Sequence, residues 1–370
     1  MTDFFDQPSR RSARKKKKGA KRLRTAIILL VGLGLATAAG MWAVPLVKDL
    51  FDTAPDDYPG PGAGEVIIEI SSGSSGGDIA DLLVDGGVVA SREAALNALN
   101  SSVESSRIQA GAYSMLKEMN SEEAVAWLLL PSKRVEVSIT VPEGFTYWQV
   151  YDRMVEIFGF DLDEVKEAAA DTDALGLPAE AGGEIEGWLA PDTYMFMPSA
   201  TPTDVLKRMV SQTVSNLNAA EVPADKWEET LNAASIVEKE GLPEFFGEVA
   251  RVISNRITLE NTGVNGLLQM DSTVNYGLGI NGGVPTREQI EEDTPWNTYI
   301  HPGLPKTPIG APRLAAIQAV IDPPEGPWLY FVTVDLCTGE TLFEEDYKKH
   351  QQNIELLREW REENPGNECS

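Results

Sequence analysis

The hydrophobic residues of this chain form one long uncharged run and, after it, a series of shorter periodic segments. The long run covers residues 25–47, which are 23 residues without a charge, close to the roughly 20 that a helix needs to cross a bilayer. It follows a cluster of Lys and Arg, which gather on the cytoplasmic side of such helices. The pattern therefore predicts a transmembrane helix at 25–47 and a basic cytoplasmic tail at 1–24. A cleaved signal peptide is the alternative, although the run is long for one.

The next part of the chain predicts a linker and a small α/β unit. Residues 48–64 are rich in Pro, Gly and Asp, which is typical of a linker. The unit at 65–132 begins with a β-branched strand at 66–70 and a helix at about 78–84. A helix capped by Ser91, a strand within 108–115 and a helix capped by Ser121 follow. This order gives the unit a strand–helix–helix–strand character.

Residues 133–222 are predicted to form an intermediate part of the outer region. An alternating strand covers Val135 to Val141, and a helix capped by Thr201 or Thr203 runs to about Leu217. Between them lies an aromatic stretch that includes Trp188 and Tyr194. We interpret this stretch as hydrophobic core. The more specific alternative is that Trp188 or Tyr194 lines a sugar-binding groove.

Two adjacent helices open the last large part, 223–360, which precedes a short tail at 361–370. The first is predicted from Asp225 to Glu240, before Gly241, and the second from about Pro243 to Leu259. At about 100° per residue, Glu240 falls inside the apolar arc of the first helix.

Because of the same spacing of about 100° per residue, the three charged residues at the end of the first helix point in different directions. Glu238 lies at the edge of the apolar arc and Lys239 points to solvent. A carboxyl held against apolar walls has a raised pKa, so Glu240 is a candidate general acid. The structural alternative is a frayed helix end whose Glu240 makes a salt bridge.

Polar and aromatic side chains cluster in the segments downstream, which we predict to be turn-rich rather than helical. Sugars present many hydroxyls and one apolar face, so such a mixture is typical of an oligosaccharide groove. The residues in question are Gln269, Asp271, Thr273, Asn275, Tyr276, Asn297, Thr298 and Tyr299.

Charge and composition exclude several classes of function. The first 25 residues hold ten Lys or Arg and two Asp, a net charge of +8, which leaves −34 for the rest of a chain whose total is −26. So acidic an outer region argues against nucleic acid as a partner. The chain has two His and two Cys without metal-ligand spacing, and we expect neither a metal nor a cofactor. Cys337 and Cys369 either form a disulfide or leave Cys369 free in the tail.

Five ordered motifs resemble those of the YceG-like endolytic murein transglycosylases. They are "ASIVEKE", "NRI", "LQMDSTVNYG", "WNTYIHPGLP" and "LYFV" with a later Phe and His. The resemblance covers about Val66 to His350 and implies an α+β fold with an N-terminal anchor. It also implies a LysM-like module at 65–132 and a mixed α/β catalytic domain whose catalytic Glu ends a helix. Ser272 and the segment 310–313 depart from the family pattern at what we predict to be loop positions.

The resemblance implies a lyase in which Glu240, the second acid of "VEKE", cleaves peptidoglycan between N-acetylmuramic acid (MurNAc) and N-acetylglucosamine (GlcNAc). The products would carry 1,6-anhydro-MurNAc ends, and the reaction would trim or terminate nascent glycan strands. The residues expected to bind substrate are Gln269, Asp271, Thr273, Tyr276, Asn297, Tyr299 and Glu238.

Location and the competing functions follow from the same observations. The chain is expected to be a single-pass protein of the plasma (inner) membrane, with its catalytic domain outside and cell-wall synthases as suggested partners. A lysozyme-type hydrolase that pairs Glu240 with Asp271 remains an alternative. A non-catalytic peptidoglycan-binding protein is the other.

The predicted topology can be tested with a reporter enzyme fused after Lys48. We expect the reporter to be active only outside the cytoplasm, because the basic tail holds the N-terminus inside. Neutralising Lys15 to Lys18 should weaken that orientation, as measured by the fraction of reporter that is active outside. A reporter active only in the cytoplasm would contradict the predicted location.

Overall fold

The computed structural model describes residues 56–260 and 263–366. The chain divides into two compact units between Arg134 and Val135. The predicted basic tail, the transmembrane helix and residues 48–55 of the linker lie outside the described residues, as does Cys369. Within the described ranges, no helix is both long enough and apolar enough to cross a membrane.

The first unit is built on two antiparallel strands with helices between them. It contains β1 (Ala63–Ile70), α1 (Gly76–Asp85), α2 (Arg92–Ser101), β2 (Gly111–Lys117) and α3 (Ser121–Leu128), and the two-residue β3 (Arg134–Val135) lies at its boundary. The strands form a sheet in the order β1-β2-β3, with Ile68 opposite Tyr113. The strand–helix–helix–strand order matches the sequence pattern, and the likeness to a LysM module stays a prediction.

Helix capping in the first unit differs from the prediction at one point. Ser91 caps α2 as expected, because its hydroxyl accepts the Ala94 N–H at 3.2 Å. The cap of α3 is Asn120 and not Ser121, since the Asn120 side chain accepts the Glu122 N–H at 3.0 Å. The Ser121 hydroxyl instead donates to Asp57 at 2.8 Å.

The second unit is mainly helical, with two small antiparallel sheets. Its elements are β4 (Val137–Val141), α4 (Tyr147–Phe158), α5 (Leu162–Ala170), α6 (Thr172–Leu175), β5 (Asp192–Phe196), α7 (Pro202–Ala219), α8 (Trp227–Glu240), α9 (Phe246–Thr258), α10 (Asp271–Gly277), α11 (Arg287–Ile290), α12 (Leu314–Ile321), β6 (Tyr330–Thr333), β7 (Thr341–Glu344) and α13 (Tyr347–Glu363). Strand β4 pairs with β5, and β6 pairs with β7. The strand predicted as continuous from Val135 to Val141 is interrupted, because β3 and β4 belong to different sheets.

The aromatic stretch between β4 and α7 is core. Trp188 has no exposed surface, and its indole N–H donates to Glu228 at 2.9 Å. The Tyr194 ring is buried, and its hydroxyl donates to the Ala190 carbonyl at 2.7 Å. A role for these two rings in lining a sugar groove is therefore wrong, and the core interpretation is confirmed.

Helix α8 lies at the centre of the second unit, packed against α9 and α12. Residues Thr230 to Val237 are all buried, so the helix is covered on every side rather than on one stripe. The Ser235 hydroxyl accepts the Ile309 N–H at 3.0 Å, which fixes the loop before α12 against the helix.

Helix α9 holds the neighbouring segments in place through two buried polar side chains. The Arg256 guanidinium donates to the Leu329 carbonyl at 2.6 Å and to the Leu268 carbonyl. The Asn255 amide donates to the carbonyls of Gly326 and Trp328, each at 2.9 Å. Buried donors stabilise a fold only when they find such acceptors, so these bonds fix the segments that lead to α10 and β6.

One predicted helix boundary and one segment predicted to be turn-rich change in the structure. The helix predicted from Pro243 begins as a 3₁₀ turn at Pro243–Phe245 and becomes α-helical at Phe246. The segment after Met270, predicted to be turn-rich, contains α10. That helix has seven residues, too few for periodicity to distinguish it from a turn.

Helix α7 provides a test of local stability. Thr201 caps it, since its hydroxyl accepts the Asp204 N–H at 3.2 Å and the Asp204 carboxylate accepts the Thr201 N–H at 2.9 Å. Thr201→Ala should lower the free energy of unfolding by about 1 kcal/mol, measured by denaturant titration of the full-length chain. The control Thr203→Ala removes the same atoms inside the helix and should change it by only a few tenths of a kcal/mol. Equal losses in both variants would contradict the assigned cap.

Candidate active site

A cavity of about 240 Å³ opens beside the C-terminal end of α8. Its walls come from four separate stretches of the second unit, so the fold must bring distant segments together to form it. The lining residues are Thr146, Trp148, Lys239, Glu240, Asp271, Ser272, Asn275, Tyr276, Ile280, Asn281, Gly282, Gly283 and Ile309.

Glu240 is the last residue of α8 and contributes its carboxyl to the cavity. The backbone N–H and the hydroxyl of Ser272 both donate to Glu240 Oε1, at 3.1 and 2.5 Å. In the described part of the chain, no group donates a hydrogen bond to Oε2. One carboxyl oxygen is therefore held in place, and the other is available to exchange a proton.

The surroundings of Glu240 favour its protonated form. The side chain keeps some contact with solvent through the cavity mouth but is otherwise enclosed by protein. This loss of water raises the pKa of Glu240 above its ordinary value of 4.5, and the nearby Asp271 carboxylate raises it further. The Ser272 hydrogen bonds and the Arg256 charge act in the opposite direction without reversing the shift.

Glu238, predicted to bind substrate, is not among the residues that line this cavity. Its side chain is only 3% exposed and forms an ion pair with Arg313, whose Nη2 lies 2.8 Å from Oε1. Arg313 Nε and its backbone N–H also donate to this carboxylate, at 2.9 and 3.0 Å. The carboxylate therefore joins the end of α8 to the start of α12.

Asp271 and Tyr276, also predicted to bind substrate, do line the cavity. Asp271 Oδ1 accepts the Tyr299 hydroxyl at 2.7 Å. The Tyr276 ring lies 5.1 Å from the Trp148 ring and 5.4 Å from the Trp296 ring. Such a group of aromatic faces beside carboxylates suits a pyranose ring.

Four other predicted binding residues are not among those that line the cavity: Gln269, Thr273, Asn297 and Tyr299. Thr273 is fully buried and donates to the Met270 carbonyl at 2.7 Å. The buried Asn297 amide donates to two carbonyls at and just after the end of α11, at 2.8 Å each. The Gln269 side chain is exposed, and Tyr299 reaches the cavity only through Asp271. Polar side chains in irregular segments often satisfy nearby backbone in this way.

The sequence reasoning missed two features near the cavity. Trp148, on the first turn of α4, forms part of the wall. Glu186 is 4% exposed and accepts the N–H groups of Tyr147 and Gly187 at 3.2 and 3.1 Å. Burial raises the pKa of Glu186 to about 7. The signal for Glu186 was an acid enclosed by apolar residues in "EIEGWLA".

Lys239 is exposed, as its place on the helix predicted, and it also lines the cavity, which was not predicted. Neighbouring atoms displace enough water to lower its pKa. The helical pattern of α8 alone did not show this, because the covering segments come from elsewhere in the chain.

Metal ligation finds no support in the part of the chain that the structure describes. There, no group of three or more His, Cys, Asp or Glu side chains is arranged to hold a metal ion.

Known proteins with similar sequence and structure point to one family. The model of the YceG-like family matches residues 68–356. The chain is 28% identical over 307 residues to an endolytic murein transglycosylase of Bacillus subtilis (strain 168), covering 78% of this chain and 83% of that protein.

A second relative and a solved structure agree with that match. The chain is 27% identical over 283 residues to an endolytic murein transglycosylase of Streptococcus pneumoniae serotype 2, covering 67% of this chain and half of that protein. The crystal structure of a putative YceG-like protein from Listeria monocytogenes shares the fold, with a TM-score of 0.50 and 24% identity over 79% of this chain and 99% of that one. Because the family model spans well over half of its length, the chain belongs to the YceG-like family.

Proposed function

We propose that this chain is a peptidoglycan lytic transglycosylase that cuts within glycan strands and leaves 1,6-anhydro-MurNAc ends. The observation that carries the proposal is Glu240, a carboxyl enclosed in a cavity with a raised pKa and one oxygen that takes no hydrogen bond from the described residues. The names of the family relatives support the same reaction class.

The proposed reaction uses Glu240 first as an acid and then as a base. Protonated Glu240 gives its proton to the glycosidic oxygen as the bond from MurNAc C1 to the GlcNAc oxygen breaks. The muramyl 6-hydroxyl then attacks C1 and transfers its proton to the ionised Glu240. A C1–O6 bond replaces the original bond, no water is consumed, and the acid is regenerated.

A single acid suffices because the nucleophile belongs to the substrate. The 6-hydroxyl is tethered to the ring that it attacks, so the entropic advantage of an intramolecular step replaces an activated water. Ser272 supports this role, since both of its hydrogen bonds fix Oε1 and therefore the direction of the carboxyl.

Hydrolysis of the lysozyme type is the second candidate, because a second carboxyl lines the same cavity. Asp271, oriented by the Tyr299 hydroxyl at 2.7 Å, is the group that would activate a water. Glu238 is excluded from that role by its ion pair with Arg313. Hydrolysis would leave reducing ends, and a non-catalytic binding protein would leave the glycan intact.

The remaining parts of the chain fit a membrane-anchored enzyme. In this proposal residues 25–47 span the plasma membrane, 48–64 form a linker, and the LysM-like unit at 65–132 contacts glycan. Parts 133–222 and 223–360 together supply the cavity, since Thr146 and Trp148 come from the first and Glu240 from the second. The enzyme would then trim nascent strands close to the membrane, where wall synthases work.

Replacing the proposed acid tests the reaction directly. Glu240→Gln should lower the rate of glycan cleavage by at least about 10²-fold, because Gln has nearly the same shape but holds no transferable proton. The measurement is mass analysis of peptidoglycan digested by the full-length chain. The wild-type protein should yield 1,6-anhydro ends, and the variant should still bind glycan.

Glu238→Gln is the matched control at the neighbouring acid. It weakens the ion pair with Arg313, so it should lower the thermal midpoint of unfolding. The turnover of the protein that remains folded should change little. Reducing ends from the wild-type protein would instead support the hydrolase. A greater loss of turnover from Glu238→Gln than from Glu240→Gln would contradict the assignment of the acid.

The pH dependence of cleavage should follow the protonation of Glu240. Activity should fall as pH rises through the pKa of this group, on a limb that lies above pH 4.5 because burial raises that pKa. The Ser272 hydroxyl lowers the pKa by donating to Oε1, so Ser272→Ala should move the alkaline limb to higher pH. Rates of cleavage at a series of pH values measure this shift.

Ser211→Ala is the control for that experiment. Ser211 is exposed on α7, and its hydroxyl donates to the Lys207 carbonyl at 2.8 Å. Its removal should leave the limb in place. A limb that moves to lower pH in Ser272→Ala would show that the hydroxyl does not stabilise the carboxylate.

A further inference from the structure

Lys239 is the only cationic residue among the described residues that line the catalytic cavity. It directly precedes Glu240 on α8, so its position is fixed by the same helix end as that of the proposed acid. The other charged lining residues are Glu240 and Asp271. Lys239 is therefore a cation in a cavity whose other charged lining residues are acids.

Two glycines from distant loops hold the aliphatic stem of Lys239. A Cβ atom added to Gly310 would lie 3.2 Å from Lys239 Cε and 2.6 Å from the Gly144 carbonyl oxygen, which leaves no room for a side chain. A Cβ atom on Gly144 would lie 3.6 Å from both Cδ and Cε of Lys239. The two loops thus lie close beside the stem of Lys239 where it passes the cavity.

The ammonium group has no partner at contact distance within the described residues, where it makes neither a hydrogen bond nor an ion pair. Glu186 and Glu238 face it and attract it from farther away. Glu238 is already paired with Arg313, and Glu186 already accepts hydrogen bonds from the N–H groups of Tyr147 and Gly187. The charge on Lys239 is therefore available to a ligand.

We infer that Lys239 is a specificity-determining residue whose ammonium binds a carboxylate carried by the muramyl unit of the substrate. This inference rests on the proposed function, since that function supplies the glycan. The sugar rings of such a glycan are neutral, and its anionic groups are carboxylates of the muramyl substituent. These are the lactyl carboxylate in peptide-free glycan and the stem-peptide carboxylates in peptide-bearing glycan.

The charge of the outer region gives this single cation its importance. The chain after residue 25 has a net charge of −34, which repels an anionic polymer. A local cation offsets that repulsion at one point and favours binding with the muramyl unit next to Glu240.

The test compares the wild-type chain with Lys239→Met and Lys239→Arg on three soluble glycans. The first bears stem peptides with free carboxylates, the second bears the same peptides with those carboxylates amidated, and the third is peptide-free. On the glycan whose carboxylate is recognised, Lys239→Met should raise KM about tenfold and change kcat by less than about twofold. Lys239→Arg, which keeps the charge, should restore most of the affinity. The alkaline limb of the pH profile should stay in place, because Glu240 keeps its surroundings.

The glycan that shows this effect identifies the source of the carboxylate. An effect on free but not amidated stem peptides assigns the site to the peptide, and an effect confined to peptide-free glycan assigns it to the lactyl group. Lys226→Met is the matched control, since Lys226 lies at the other end of α8, where it pairs with Glu229 at 2.7 Å. It changes the net charge equally and should leave KM unaltered.

Binding is measured separately in a Glu240→Gln background, so that the two proposals fail in different ways. Absence of cleavage by the wild-type chain would overturn the proposed function. If adding Lys239→Met to the Glu240→Gln chain left the affinity for each of the three glycans unchanged, the carboxylate inference would be overturned. An equal fall in kcat on every glycan, including the amidated one, would overturn it too, because Lys239 would then act on the reaction or the fold.

Discussion

Keeping a carboxyl group at the end of a buried helix is the constraint on which the second unit depends. The C-terminal end of a helix carries partial negative charge, and burial removes water, so both features oppose ionisation of Glu240. Helix α8 must nevertheless be anchored tightly enough to hold that group. The contact of Ser235 with the loop before α12 and the buried bonds of Arg256 supply this anchoring. Ser272 then donates the two hydrogen bonds that the carboxyl receives from the described residues.

Three consecutive charged residues at this helix end have three different environments. Glu238 is bound to Arg313 and fastens α8 to the beginning of α12. Lys239 runs between two glycine loops along the cavity wall. Glu240 accepts a hydrogen bond from the Ser272 N–H. Because successive residues on a helix point about 100° apart, a short charged run can join a structural ion pair, a cavity cation and a buried acid without conflict.

The sequence predicted those features that depend on one helix. The range of α8 was predicted within two residues, and the direction of Glu240 followed from its place in the apolar arc. Lys239 is exposed as predicted, but its place in the cavity wall was not foreseen, because residues 144 and 310 approach the helix end from elsewhere in the chain. Thr273 and Asn297 satisfy backbone groups that sequence reasoning does not reveal. Helix α10 was missed because seven residues carry too little periodicity. Trp148 was missed because it becomes part of the cavity wall only where α4 lies beside α10.

The way in which α8 ends at Gly241 affects how the environment of Glu240 responds to heating. The Gly241 N–H donates to the Val237 carbonyl at 3.0 Å, and a Cβ at this position would lie 3.2 Å from Phe246, Val237 and Val249 atoms. The last turn is thus closed by a residue packed tightly on its neighbours, and helix ends are the first parts of a helix to fray. Fraying of this single turn would hydrate Glu240 and return its proton affinity toward that of a carboxyl in water. The tight closure at Gly241 therefore protects the proton affinity of Glu240 as well as the end of the helix.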